Sequence, residues 1–478
     1  PNTPLHHLLL RRMDRPIILT SGNRSDEPQC IDDDQAKVRL GHIAEFFLLH
    51  DRPIAQRVDD SVVKVIGGLP RVVRRSRGYA PAPFSVPKGF DHAPRVLAMG
   101  GELKNTFCLM GGGRAVLSHH VGDLEDALTY QDYRRAIGHY GELFAHGPDV
   151  IAVDRHPDYL SSKLGHELAS EKALPVSTVQ HHHAHVAACL FENKIPLGHP
   201  PVLGIALDGL GYGDDGRIWG GEFLLADYTT AVRAGTFKPV PMLGGEQAVK
   251  EPWRNTYAHL MAELGWARFA MNYRELDLYG YLANKPRAVL DRMLARGVNS
   301  PAATSCGRLF DAVAAAIGLC QDHAGYEGQA AIELEQLVDR SSLESEEEAL
   351  AYPFAIPFLK RTKLPYIEPL AMWQALLGDL VLRTPLPVMA ARFHKGLALA
   401  VCAMADKITK VEEGERTTRH VALSGGVFQN QVLFELVSAK LEAMGFIVLS
   451  HRQVPANDGG LALGQAAVAA ARALSDNG

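Results

Sequence analysis

The pattern of apolar and polar positions changes character near residue 95. Ahead of it the apolar runs are short and few. A helix-like run covers 5–13, a strand covers 16–20, and the strand runs into a loop rich in hydroxyls and glycine, Ser21-Gly22-Asn23-Arg24-Ser25. Two further strands, 62–66 and 71–75, are joined through Gly67-Gly68. Residues 78–95 concentrate Pro and Gly without apolar periodicity, so a linker is expected at 81–94, separating a thin domain at 1–80 from everything after it.

Beyond 95, strands alternate with long helices, which predicts an α/β architecture. A device of strand, glycine turn and strand occurs twice. It is read at 96–99 with Gly100-Gly101 and a second strand near 106–110, and at 202–207 with Asp208-Gly209 and a second strand near 222–225. A longer repeat runs strand 150–153, helix 158–170, strand 176–179, helix 181–193. Its counterpart is strand 421–423, helix 430–445, strand 446–449, helix 459–474. The expectation is two duplicated lobes, roughly 95–201 and 202–478, the second carrying a large insertion. Such lobes with glycine-rich hairpins follow the plan of the actin-like ATPase (ASKHA) fold, which binds nucleotide between them. Glu344, Glu346, Glu347 and Glu348 read as a solvated surface loop.

Composition adds exclusions. A chain of 478 residues, 47% hydrophobic and 22% charged, has the make-up of a globular protein of several domains. Its 49 basic and 54 acidic residues leave a net charge of -5, so no excess of cations is available for gripping nucleic acid as a main task. The 6 cysteines form no C-x-x-C pair, which leaves free thiols in a reducing, cytoplasmic setting as the default. No run of about 18 uninterrupted apolar residues predicts a membrane span. The opening Pro1-Asn2-Thr3-Pro4 lacks Met and reads as the interior of a longer chain.

The richest segment for chemistry is Gln180-His181-His182-His183-Ala184-His185. It follows a strand and opens a helix, so His181 and His185, at i and i+4, share a face and can share a metal ion. The equivalent junction of the other lobe holds Asn457-Asp458-Gly459, which offers Asp458 across the cleft, and Asp208, at a strand end, adds a fourth donor. Two nitrogens and one or two oxygens with an open position suit Zn²⁺ or Fe²⁺. His182 and His183 are read as structural or supporting. Ser424-Gly425-Gly426-Val427-Phe428-Gln429-Asn430 ends a strand and opens a helix, so its N–H groups are expected to be free for an anion or a nucleotide. Asp208-Gly209-Leu210-Gly211 adds a hairpin able to wrap phosphates. Asp311, near the start of a helix at 312–319, is either a helix N-terminal acid or an acceptor for ribose hydroxyls.

Together the H-x-x-x-H pair, Ser424-Gly425-Gly426-Val427-x-x-Asn430 and Asn457-Asp458-Gly459-Gly460 resemble the TsaD/Kae1-like branch of the actin-like superfamily. Within that branch, Asp154-x-His156-Pro157-Asp158-Tyr159, Glu251-Pro252-Trp253-Arg254 and Tyr326-Glu327-Gly328-Gln329 are similar to the HypF family of hydrogenase-maturation carbamoyltransferases. The front also fits: Thr20-Ser21-Gly22-Asn23, Asp59-Asp60-Ser61-Val62 and Arg74-Arg75-Ser76-Arg77-Gly78 resemble the YrdC-like domain of that family. The implied fold is a partial YrdC-like α/β domain followed by a duplicated, two-lobed Kae1-like domain.

The resemblance implies that carbamoyl phosphate and ATP, with Mg²⁺, give carbamoyl adenylate in the YrdC-like site. The carbamoyl group then passes, at the Kae1-like site, to the C-terminal cysteine of HypE, as a precursor of the cyanide ligands of [NiFe] hydrogenase. It further implies His181, His185, Asp208 and Asp458 as metal ligands gripping the adenylate phosphate. Gly209, Asp311, Glu327, Gly425, Gly426 and Asn430 would surround the nucleotide, and Ser21, Asn23, Arg74 and Arg75 would belong to the adenylate-forming site. HypF proteins begin with an acylphosphatase-like domain and zinc-finger modules that this sequence does not contain, and the front of the YrdC-like domain is expected to be missing too. Two enzymatic alternatives share the metal site, an O-carbamoyltransferase and a tRNA threonylcarbamoyl transferase, although nucleic acid and membrane partners are not expected. A non-catalytic nucleotide-binding scaffold is the alternative of another class.

Overall fold

The computed structural model describes residues 4–24, 27–411 and 416–476. By contact the chain forms two compact units, Pro1–Arg57 and Val58–Gly478.

In the first unit the described elements are helices, Pro4–Leu10 and Asp33–Leu40. Asp32 starts the second of these, its side chain accepting from the N–H groups of Asp34 and Gln35. The strand expected at 16–20 does not form. Among the described residues of this unit no strand lies alongside it to take up its backbone hydrogen bonds, and Ile18 and Leu19 stand exposed. The loop after it is tied locally: Asn23 Nδ2 donates to the carbonyls of Arg24 and Glu27.

The second unit opens with the antiparallel hairpin Val62–Ile66 and Leu69–Arg74. It packs onto the second lobe: Ile66 is buried in that lobe's core, Arg71 lies 4.3 Å over the Phe434 ring, and Lys64 pairs with Glu335 at 2.8 Å. Residues 78–95 are also fastened down. Phe84–Ser85 forms an edge strand against Arg114–Leu117, and Phe90 is buried.

Both lobes show the longer expected repeat, whereas Asp208-Gly209-Leu210-Gly211, expected as a glycine hairpin, lies inside the strand Val202–Tyr212 and the chain turns only after Tyr212. The first is a 6-stranded sheet in which Val96–Ala98 pairs antiparallel with Cys108–Gly111 and parallel with Val150–Asp154, which pairs in turn with Val176–Val179. In the second, an 8-stranded sheet, Val202–Tyr212 pairs antiparallel with Ile218–Ala226 and parallel with His420–Ser424, which is followed by Ile447–Ser450. Apolar strands covered on both faces need helices on each side. The corresponding helices His181–Glu192 and Leu461–Asp476 pack against each other, so closely that a Cβ at Gly464 would lie 1.8 Å from the Ala184 carbonyl oxygen.

The insertion expected in the second lobe is largely helical and includes Trp253–Glu263, Cys306–Ala316, Gln329–Gln336, Leu370–Leu382 and Leu386–Thr409. Trp373, Tyr257, Phe310 and Phe393 fill its core. Among the described residues Leu386–Thr409 alone is long and apolar enough to cross a membrane, and its apolar side is used up inside this core. The acidic run is mostly exposed as expected; Glu346 is the exception, held at 2.8 Å by Arg392.

Candidate functional site at the lobe junction

The strand Val176–Val179 delivers the chain to helix His181–Glu192, whose start is capped by Gln180 accepting from the His183 N–H at 2.8 Å. This helix is buried almost throughout, so His181 and His185 are enclosed on arrival. Asp208 comes from within the strand Val202–Tyr212 rather than from its end, at an irregularity where pairing with Ile218–Ala226 shifts register. Such a bulge re-aims a side chain, here toward the histidines. Asp458 stands on the single turn Asp458–Gly460, capped by the Asn457 side chain at 3.0 Å from the Gly459 N–H.

One donor atom from each of His181, His185, Asp208 and Asp458 falls in a group within 4.8 Å. His181 Nε2 is 3.4 Å from Asp208 and 3.7 Å from Asp458; His185 Nε2 is 3.2 Å and 3.6 Å from the same carboxylates. On the far side of the ring, His181 Nδ1 is 2.9 Å from Asp154 Oδ2, which leaves Nε2 aimed at the group and without a hydrogen-bond partner although buried. Burial works against charge on His181, but Asp154, Asp208 and Asp458 outweigh it and hold the imidazole well above its ordinary pKa. Burial likewise opposes ionisation of Asp458, yet the two neighbouring imidazoles bring it down to about 2. Two imidazoles and two carboxylates converging with an orphaned nitrogen match the donor set of a divalent transition metal.

A cavity of about 1270 Å³ adjoins this group and is lined by Asp208, Gly209, Asp311, Glu327, Gly426 and Asn430, with Asp458 and Lys104. The candidate nucleotide residues are thereby gathered in one place. Gly425 forms the turn behind them: its φ is +97°, and a Cβ there would fall 2.2 Å from the Leu207 carbonyl oxygen. The N–H groups of Gly425 and Gly426, expected from the glycine pattern to be free, are both taken. Gly425 donates to Ala456 O, and Gly426 donates to Asp208 Oδ1 at 3.1 Å, so the turn holds a candidate metal ligand in place.

Asp311 is inside helix Cys306–Ala316, not at the start of one, because the helix begins earlier under the Ser305 cap. It pairs with Arg308 at 2.9 Å, and burial pushes its carboxyl up to about 6 against the pull of that guanidinium. Asn430 caps helix Gln431–Ala443, accepting from Leu433 N–H at 2.8 Å, while its amide nitrogen lies 3.0 Å from His394 Nε2.

His182 and His183 turn elsewhere, the first against Gln180 and Trp219 and the second onto the Asp227 carbonyl at 2.7 Å. Arg75 is buried and donates to the carbonyls of Leu117, Tyr79 and Ala82, whereas Arg74 is exposed. Ser21 and Asn23 belong to the first unit. Sequence reasoning gave no role to Lys104, Arg308 or Asp154. Arg308 was discoverable from its i, i+3 spacing to Asp311, and Asp154 from its place at the end of a buried strand beside the histidine junction; Lys104 carried no such signal.

A repeated α/β sheet with a glycine turn and a histidine-carboxylate group at the lobe junction defines a Kae1-like domain preceded by YrdC-like sequence. Family models agree: residues 1–76 match the Sua5/YciO/YrdC family (described as telomere recombination), 91–192 the HypF Kae1-like domain, and 204–465 the second subdomain of the carbamoyltransferase Kae1-like domain. The chain belongs to the HypF carbamoyltransferase family. It is 42% identical to carbamoyltransferase HypF of Rhodobacter capsulatus over 100% of this chain and 60% of that one. To a HypF homolog of Cupriavidus necator it is 36% identical, over 81% of this chain and 94% of that one. A crystal structure of full-length HypF in its phosphate- and nucleotide-bound form superposes with a TM-score of 0.85 at 37% identity, covering 98% of this chain and 69% of that one. The chain spans about 60% of the length of the full-size relatives it matches.

Proposed function

We propose that this chain carries the carbamoyl-transfer site of a hydrogenase-maturation enzyme, with carbamoyl adenylate as donor and the C-terminal cysteine of HypE as acceptor. The observation that carries the reading is the grouping of His181, His185, Asp208 and Asp458 at the wall of a cavity also lined by Asp311 and Asn430. A bound Zn²⁺ or Fe²⁺ would supply Lewis acidity toward a phosphate oxygen. The cysteine thiolate attacks the carbamoyl carbon, an S–C bond forms, the C–O bond to phosphate breaks, and AMP leaves with the electron pair. The protein's part is to orient and enclose. Asp311, when ionised, accepts from ribose hydroxyls; Asn430, fixed by the Leu433 N–H and His394, presents its remaining amide hydrogen to the nucleotide; Gly209 and the turn at Gly425 and Gly426 let it come close.

Carbamoyl phosphate and ATP with Mg²⁺ would supply the adenylate through the YrdC-like portion, to which Ser21, Asn23, Arg74 and Arg75 are assigned. We further propose a division by sequence into a YrdC-like part at 1–80, a connecting segment at 81–94 that joins the first-lobe sheet through Phe84–Ser85, and a Kae1-like part at 95–478 with lobes near 95–201 and 202–478. A cytoplasmic setting, where the free cysteines stay reduced, suits this role.

The test supplies carbamoyl adenylate and a peptide ending in the HypE cysteine, and measures thiocarboxamide formation. Wild type is expected to modify the peptide, and His181→Ala and His185→Ala to lose both transfer and bound metal. Transfer undiminished in these variants sinks the assignment, and modification of tRNA or a sugar hydroxyl in place of the peptide favours the alternative acceptors.

A further inference from the structure

Lys104 sits in the first lobe, in the loop between Val96–Ala98 and Cys108–Gly111, with a backbone φ of +49° that a non-glycine residue adopts at a cost. Its surroundings enforce that conformation. The Lys104 N–H donates to Asp123 Oδ1 at 2.7 Å, and the buried side chain of Asn105 donates to the carbonyls of Met99 and Gly101 at 3.1 and 2.6 Å. Strain that neighbouring contacts over-determine is a mark of functional positions. The outcome here is an ammonium held in the main cavity, where it bonds to Glu327, a residue of the second lobe that precedes helix Gln329–Gln336.

This ion pair spans the cleft beside the metal-type group. Glu327 Oε1 lies 3.9 Å from the position a Cβ on Gly209 would take, one residue from Asp208, and Lys104 and Asp458 line the same cavity. Other cations on the cavity wall are committed differently: Lys64 holds Glu335 and the Gln429 carbonyl, and Arg308 holds Asp311. Both members of the Lys104–Glu327 pair keep substantial exposure, 34% and 46% of their side chains, and a pair so placed contributes little to stability and is readily exchanged.

We propose that the Lys104–Glu327 pair is a placeholder across the cleft which the phosphoryl group of an adenosine nucleotide displaces, Lys104 transferring to the phosphate and Glu327 being released toward the ribose. This rests on reading the cavity as a nucleotide site. The exchange conserves charge pairing: the ammonium trades a carboxylate for a phosphate, and the freed carboxylate gains hydroxyl donors. It also couples the lobes to the ligand, because a contact between protein groups becomes one that runs through the nucleotide.

The experiment measures binding of adenosine and of AMP to the 478-residue chain by calorimetry, for wild type, Lys104→Met, Lys104→Arg, Glu327→Gln and the double variant Lys104→Met/Glu327→Gln. The readout is the ratio of AMP to adenosine affinity, which cancels any change in ribose or base contacts. Lys104→Met is expected to lower the ratio about tenfold and Lys104→Arg to restore most of it, since a charge-assisted contact to phosphate is lost and regained. Glu327→Gln is expected to raise the ratio several-fold because the competitor for Lys104 is gone, and the double variant should match Lys104→Met. Adenosine binding with a ratio unmoved by Lys104→Met, or lowered by Glu327→Gln, overturns the exchange and leaves the nucleotide site standing. Binding of neither ligand by the wild type overturns the nucleotide reading together with this proposal.

Discussion

His181 Nδ1 lies 2.9 Å from Asp154 Oδ2, and both side chains are fully buried. A carboxylate behind a metal-facing imidazole fixes its tautomer and ring orientation and raises its basicity. Asp154 is itself held, accepting from the His156 N–H at 2.8 Å. Asp154→Asn should preserve the fold while lowering affinity for Zn²⁺ about 10- to 100-fold, the usual effect of removing such a partner. Competition with a chromogenic chelator measures this, and an affinity equal to wild type would show that Asp154 is merely a core hydrogen bond.

Asp311 is the group through which nucleotide binding should depend on pH. Its folded pKa is raised to about 6, chiefly by burial. A carboxyl with a raised folded pKa disfavours ionisation in the native state, so its contribution to stability is present below the unfolded value of about 4 and is lost as pH rises toward 6. With Asp311 accepting from the ribose hydroxyls as proposed, the ionised carboxylate is the stronger acceptor, so adenosine affinity should climb as pH rises through about 6 and level off above it. In Asp311→Asn both the climb and the loss of stability between about 4 and 6 should vanish, as followed by adenosine titration and urea unfolding across that range. A wild-type affinity that is flat from pH 5 to 8 would remove Asp311 from the nucleotide contacts.

Glu222 is a buried carboxylate in the strand Ile218–Ala226, and Arg233 on the adjoining strand engages it with two nitrogens at 2.6 and 2.9 Å. The same guanidinium donates to Thr236 Oγ1 at 2.8 Å and lies 4.0 Å over the Trp219 ring. Removing one partner of such a pair strands a charge away from water, so Arg233→Met should cost about 3–5 kcal/mol. Arg233→Met combined with Glu222→Gln should recover a large part of that loss. Denaturant midpoints compare the variants, and a double variant no better than Arg233→Met would show that packing, not the stranded charge, dominates.

Much of this protein follows from local pattern. Alternation of strands with helices, the repeated order within each lobe and the helical spacing of His181 and His185 depend on periodicity and on turn chemistry, which are properties of neighbouring residues. Even Asp458 was reachable, because the repeat assigns it the junction that mirrors the histidines. Tertiary structure alone decided the rest. Whether 16–20 pairs as a strand depends on a neighbour, and the N–H groups of Gly425 and Gly426 are taken by Ala456 and Asp208, which approach from elsewhere in the chain. Likewise Lys104 met Glu327 because two lobes brought their loops to one cavity. Sequence determined the elements and the reactive side chains; which donors meet, and which groups stay free, was decided by long-range packing, because a hydrogen bond or an ion pair depends on distance in space and not on position along the chain.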